Sequence, residues 1–272
     1  MSIALSWLHT QIALAGVSGL SIGFALGLVG GGAGMLAVPL LLYFVKVGDP
    51  HMAIGTTAIS IAMTALVNLV AYARAGLVRW RTASVFAAAG VAGAFAGSRW
   101  SLHVDGGVVM LLLAAVVAVV GVMMFSRSRA AAPRLSAAGD ARQEPEWAGR
   151  GIATAGAGVA IGGVAGFFGV SGGFLSVPAL HFIARIPMLE AVASSLLSVI
   201  VFGATTGVNY AIAGKVSVPL SLALVAGGVV GGNAGMRAAK TLANKGDTLR
   251  QLFAAMLLLI AAYIAYRSVT QS

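Results

Sequence analysis

The chain of 272 residues is 59% apolar and only 9% charged, against about 45–50% and roughly 25% in soluble domains, so a soluble globule is excluded. Its apolar residues arrive in blocks near the ~20 residues that a bilayer-spanning helix requires, which makes it a polytopic membrane protein. A formal charge of +10 therefore reads first as topology rather than as nucleic-acid binding, and the absence of Cys removes disulfides, thiolate metal sites and cysteine nucleophiles.

In chain order, the apolar blocks predict ten helical segments. Five precede a polar break: Gln11 to Val29, Met35 to Val45, Met52 to Ala73, Ala83 to Gly97 and Val108 to Phe125. Five follow it: Ile152 to Phe168, Phe174 to Ala184, Leu189 to Ala213, Val216 to Met236 and Leu249 to Tyr266. The first 30 residues lack a basic leader, so the opening block is expected to be a membrane helix and not a removable signal peptide. Between the two sets, Ser126 to Arg150 carries five arginines, three carboxylates and two prolines, and is too polar to enter lipid. The expected organisation is a first membrane unit over 1–125, a linker over 126–150 and a second membrane unit over 151–272.

The two units are copies of one another. A shift of 139 superposes Gly19, Gly23, Gly27, Gly30, Gly34, Val38 and Pro39 on Gly158, Gly162, Gly166, Gly169, Gly173, Val177 and Pro178. After one deletion, a shift of 138 brings Ser60, Tyr72, Gly76, Val78, Gly93, Gly97 and Arg99 onto Ser198, Tyr210, Gly214, Val216, Gly231, Gly235 and Arg237. Five segments per copy is an odd number, so the copies have opposite orientations. With the linker in the cytoplasm, thirteen of the seventeen Lys and Arg lie inside, leaving Lys46, Arg99, Lys215 and Arg267 outside. Both termini then face outward. Inverted repeats of this kind are frequent in secondary transporters, with the site near the midplane where they meet.

The strongest chemical signal is Gly27-Leu-Val-Gly30-Gly31-Gly32-Ala-Gly34-Met-Leu-Ala-Val38-Pro39, echoed by Gly166-Phe-Phe-Gly169-Val-Ser171-Gly172-Gly173-Phe-Leu-Ser176-Val-Pro178. Consecutive glycines make continuous helix costly by about 1 kcal/mol each, and the piece that follows is too short to cross a bilayer alone. Broken backbone inside a membrane is tolerated only where it lines a protein-enclosed or watery cavity. Its freed N–H groups, at the positive end of a new helix, favour an anion. Gly31, Gly32, Gly34, Ser171, Gly172 and Gly173 are therefore the candidate substrate contacts. The fourfold spacing of Gly19, Gly23, Gly158 and Gly162 reads instead as close helix packing.

These paired glycine and proline runs, the hydroxyl-rich segments that follow them, and Tyr72 to Gly76 with Tyr210 to Gly214 resemble the sulfite exporter TauE/SafE family over nearly the whole chain. The resemblance implies export of a small sulfur-containing anion such as sulfite or an organosulfonate, from a bacterial inner membrane.

Register-matched hydroxyls, Thr56, Thr57 and Ser60 against Ser194, Ser195 and Ser198, have two readings: donors to an oxyanion, or bonds back to their own helices. Tyr72 and Tyr210 line the exit or join helices. His181 either touches the anion or is satisfied by a neighbouring carbonyl. Arg99 and Arg237, at equivalent helix ends, either draw anions to each mouth or snorkel as anchors. No carboxylate falls mid-segment, Glu190 standing at the start of one, which argues against a carboxylate proton relay and for uncoupled efflux. No pattern indicates a cofactor, a metal or nucleic acid; the expected partners are a small anion and the lipid bilayer. Two rival readings are a passive anion channel and, from Gly169-Val-Ser171-Gly172, a likeness to rhomboid intramembrane proteases, for which His181 is the sole histidine after Ser171. The fold class expected is thus all-α, with two inverted repeats and short broken helices.

Overall fold

The computed structural model describes residues 2–29, 34–109, 111–113, 115–116, 147–169 and 172–243. Linker residues 126–146, the segment Leu249 to Tyr266, most of Val108 to Phe125, and Gly31, Gly32 and Ser171 lie outside those residues, while the last four residues expected to be linker, 147–150, are helical. Among the described residues the fold is helical and contains no strand. The helices are α1 (Ser2–Val29), α2 (Gly34–Pro39, continued by a π-helical turn Leu40–Phe44), α3 (Pro50–Arg74), α4 (Trp80–Ser101), α5 (Trp147–Phe168), α6 (Gly173–Phe182), α7 (Met188–Ile212) and α8 (Val218–Ala243). Five spans within them are long and apolar enough to cross a membrane: Thr10–Leu28, Pro50–Arg74, Gly151–Phe168, Met188–Ile212 and Val218–Ala239.

Local chemistry sets the boundaries. Asp49 caps α3, its carboxylate accepting the His51 N–H at 2.9 Å, and Pro50 occupies the first helical position, where a missing N–H costs nothing. At the other end of α3, Gly76 takes φ +69° while Leu77 N–H donates to the Tyr72 carbonyl; α7 ends the same way, with Gly214 at +69° and Lys215 N–H on the Tyr210 carbonyl. These left-handed positions are the physical reason for the Tyr-to-Gly spacing read from the sequence. Lys46 and Arg185, at matching positions after α2 and α6, also have positive φ (61° and 54°), an uncommon conformation for a side chain with a Cβ.

Packing is organised around α3 and α7, each with 14 of its 25 residues buried. They run antiparallel: Gly55 lies against Tyr210 and Gly207 against Ile59. On one flank α1 runs parallel to α8, with Gly19, Gly23 and Gly27 seated on the backbone of Leu224, Gly228 and Gly232. On the other, α5 runs parallel to α4, with Gly158, Gly162 and Gly166 seated on Phe86, Gly90 and Ala94. Each contact in the first set maps onto one in the second by the sequence shift. A Cβ at any of these six glycines would come closer than 3.0 Å to backbone atoms of the facing helix, so glycine is what lets the axes approach.

Candidate functional site

Each Gly-rich run ends one long helix and starts a short one. Gly169 and Gly172 both have positive φ (+65° and +60°), Gly172, Gly173 and Gly169 are buried, and α6 then runs only ten residues to Phe182. No side chain caps its first turn; Leu175 and Ser176 N–H donate to the Gly172 carbonyl. A helix therefore breaks inside the protein at Gly169 to Gly173. In the first half α1 ends at Val29 and α2 begins at buried Gly34. There Pro39, lacking an N–H and crowding the preceding turn, is followed by the switch from α to π geometry at Leu40, which the sequence did not foretell. Short helices α2 and α6 touch one another, and α2 also packs on α3 and α6 on α7.

The hydroxyls behave differently from donors waiting for an anion. Thr57 donates to the carbonyls of Ala53 (2.8 Å) and Ile54 (3.0 Å), Ser195 to Val192 (2.9 Å), Ser60 to Thr56 (2.7 Å) and Ser198 to Ser195 (2.7 Å). Each thus bonds back to its own helix, Ser60 also reaching the Ser221 carbonyl of α8 at 3.4 Å. Thr56 and Ser194 act reciprocally across the two halves. Thr56 Oγ1 accepts the Ser217 N–H at 3.0 Å, and Ser194 Oγ accepts the Arg79 N–H at 2.9 Å. Each fastens the helical turn of the opposite half.

The tyrosines are joints. Tyr72, fully buried, donates its hydroxyl to the Gly27 carbonyl at 2.7 Å, while Tyr210 donates to Ser101 Oγ at 3.0 Å. His181 Nδ1 lies 2.9 Å from the Ile186 carbonyl, which can only accept, so the imidazole is held by the backbone. Arg99 stacks over Phe95 (5.2 Å to the ring centre) and, with His103 and Asn209, lines an open cleft of about 370 Å³ at the end of α4. Arg237 is an exposed residue of α8.

A second space is small and internal. A void of about 10 Å³, water-sized, is lined by Gly19, Ala37, Thr57, Ser60, Thr64 and Gly228, so α1, α2, α3 and α8 all contribute to it. At the equivalent of Thr64 stands Phe202, whose ring is fully buried, lies 6.0 Å from Phe86 and covers Gly90 and Gly172. The two halves are therefore unlike at their centres.

The three carboxylates among the described residues all sit at helix ends. Glu190, in the first turn of α7, pairs with Arg79, and that pairing raises the guanidinium further above its ordinary value. Asp49 accepts from Lys215 Nζ at 2.7 Å. Burial pushes its carboxyl up, but the hydrogen bonds from Lys215 and from the His51 N–H outweigh burial and hold it below its ordinary value. Asp105 caps the turn that follows by accepting from the Gly107 and Val108 N–H groups. These two interhelical ion pairs were not foreseen from the sequence, because partners more than 100 residues apart carry no local spacing signal.

The comparisons with known proteins follow the same lines. The family model described as Sulfite exporter TauE/SafE matches residues 15–264. The chain is 41% identical over 251 residues to a "Probable membrane transporter protein" of Xylella fastidiosa strain Temecula1, covering 92% of this chain and 94% of the relative. A protein of the same name in strain 9a5c is 40% identical over 251 residues, with the same coverage. The "Probable membrane transporter protein YunE" of Bacillus subtilis strain 168 is 27% identical over 269 residues, 93% of this chain and 97% of the relative. No solved structure matches. The chain is an all-helical, multi-pass membrane protein and belongs to the sulfite exporter TauE/SafE family of transporters.

Proposed function

We propose that the protein is a secondary transporter that exports a small anion, sulfite or an organosulfonate, across the bacterial inner membrane. In this reading it consists of two inverted five-segment repeats, with residues 126–150 as a cytoplasmic linker and both termini outside. The antiparallel pairing of α3 with α7, and the correspondence of the α1/α8 and α4/α5 contacts across the sequence shift, support the inversion. So do the ion pairs: Arg79 with Glu190 belongs at the cytoplasmic end, and Asp49 with Lys215 at the outer end.

The observation that carries the proposal is the break between α5 and α6. Two buried left-handed glycines turn the chain within the protein, and the uncapped first turn of α6 leaves backbone N–H groups directed away from the helix into its surroundings. Gly172, Gly173 and Ser171 in the second half, with Gly31, Gly32 and Gly34 in the first, would bind the anion through the main chain. Thr56, Thr57, Ser194 and Ser195 shape the walls and turns around it, Tyr72 and Tyr210 hold the joints that must move, and Arg99 and Arg237 set the potential at the two mouths. An anion leaving a cell with a negative interior gains about 2.3 kcal/mol per charge per 100 mV, so efflux needs no coupled ion. Within the described spans the only carboxylate is Glu190, in the first turn of α7 and paired with Arg79, which fits uncoupled movement.

The test is thermal unfolding of the purified full-length protein with sulfite, sulfate, thiosulfate, sulfoacetate and lactate. A ligand at about 100 times its Kd stabilises the folded state by about 2.7 kcal/mol. Sulfite or sulfoacetate is expected to raise Tm by several degrees and lactate not to. Equal, negligible shifts across the series would remove the anion assignment.

A further inference from the structure

The face of α3 that looks toward α1 and α8 carries Thr57, Ser60, Thr64, Asn68 and Tyr72 in successive turns. All but one have found partners. Thr64 Oγ1 donates to the Ser60 carbonyl at 2.9 Å, and Tyr72 to Gly27. Asn68 is 1% exposed, yet neither its Nδ2 nor its Oδ1 has a hydrogen-bond partner. A buried amide with both ends unpaired forfeits its hydration without compensation, and such groups are rare enough to require a reason.

Simple packing does not supply one. A Leu has nearly the shape of Asn and would fill the same place without that penalty. The opposite helix, moreover, is cut away to admit the amide: a Cβ on Gly232 would come closer than 3.0 Å to Asn68 Oδ1, Nδ2 and Cγ. At the matching position of the second half, 138 residues on, Thr206 is fully buried and its Oγ1 is likewise unpaired. The same place in each half thus keeps an uncommitted polar atom.

Position gives the amide a use. Asn68 lies one turn from Thr64, which lines the internal void, and one turn from Tyr72, which grips Gly27 three residues before the first Gly-rich break. We propose that the Asn68 carboxamide is a substrate ligand: its Nδ2 donates to an oxygen of a small oxyanion as the anion passes between the void and that break. The inference rests on the anion-transport reading above and adds the side chain that recognises the oxygen, in a stretch where every neighbouring hydroxyl proton is already committed.

The experiment compares the full-length wild type with Asn68→Leu and Asn68→Ala, measuring Tm in detergent and the sulfite concentration that gives half the maximal shift. Asn68→Leu is expected to unfold at or above the wild-type Tm, because an unpaired buried amide has been replaced by an apolar side chain of the same shape. Both variants are expected to need about tenfold more sulfite or beyond, the loss typical of one hydrogen bond to a charged group. A Tm several degrees lower for Asn68→Leu would mean that the amide is structurally bonded, and would overturn the assignment. Unchanged sulfite dependence in either variant, with the wild type responding, would overturn the role of Asn68 alone. A wild type that responds to no anion would overturn this inference together with the reading beneath it.

Discussion

Replacing Gly23 by Ala tests the helix seams at one of their tightest places. A Cβ there would fall within 3.0 Å of the carbonyl oxygen, the carbon and the Cα of Gly228, all of them main-chain atoms that cannot swing aside. Since a carbon rests comfortably at about 3.5 Å from a neighbour, α1 and α8 must part by roughly 1 Å. That loosens every seat along the seam, from Gly19 on Leu224 to Gly27 on Gly232. Overpacking of this kind costs about 1–3 kcal/mol. Gly156, on α5, is the control, because nothing lies within 4 Å of its added Cβ. There Ala is the better helix former, by about 0.5–1 kcal/mol. Fluorescence-detected unfolding in one detergent should therefore show Gly23→Ala well below the wild type and Gly156→Ala at or above it. Indistinguishable Tm values for the two variants would refute the reasoning. Gly19→Ala belongs with Gly23→Ala, because its Cβ would meet the Leu224 backbone.

At the break itself, Gly172→Ala adds a Cβ at φ +60° and against Ala165 and the Phe202 ring; left-handed backbone alone costs a non-glycine residue about 1–2 kcal/mol. Efflux by this variant should fall sharply while membrane insertion, read by fractionation, is unchanged; normal efflux would show that the turn at Gly172 does not matter to transport. Asp49 predicts a pH dependence. Its carboxyl is held below its ordinary value, so the Lys215 pair contributes stability above the unfolded-state value of 3.8 and loses it as pH falls through the lower folded value. Asp49→Asn should thus be less stable than the wild type at pH 6 and converge on it in strong acid; a gap that stays constant down to pH 2 would exclude that pair as the cause.

Much of the frame was readable because the bilayer imposes it. Apolar runs, the positive-inside bias and the sequence shift located the described helices to within a few residues, apart from α1 and α5, which begin earlier, and α8, which ends later than its apolar block. Gly and Pro marked the breaks because each changes what the backbone can do locally. The fourfold-spaced Gly19, Gly23, Gly158 and Gly162 lie in the helix seams, as that spacing predicts, because it makes a flat helix face. Side-chain commitments were hidden. Nothing in the sequence tells whether Thr57 turns to its own helix or Thr56 to Ser217, because that depends on which helix arrives opposite. Asn68 has no spacing or motif that marks it in the sequence; only the partners taken by Thr64 and Tyr72, and the room left by Gly232, single it out. Phe202 was silent for the same reason, being an ordinary apolar residue until its place opposite Thr64 is known.

Proteoliposomes loaded with sulfite and held at an inside-negative potential test the whole account most directly. Wild-type protein should release sulfite in a saturable manner, with no need for a pH gradient, and Gly173→Leu, inserted to the same level, should reduce release to that of empty liposomes. Sulfite release by Gly173→Leu at the wild-type rate, or release by the wild type that vanishes without a pH gradient at matched voltage, would contradict an uncoupled anion path through the glycine breaks.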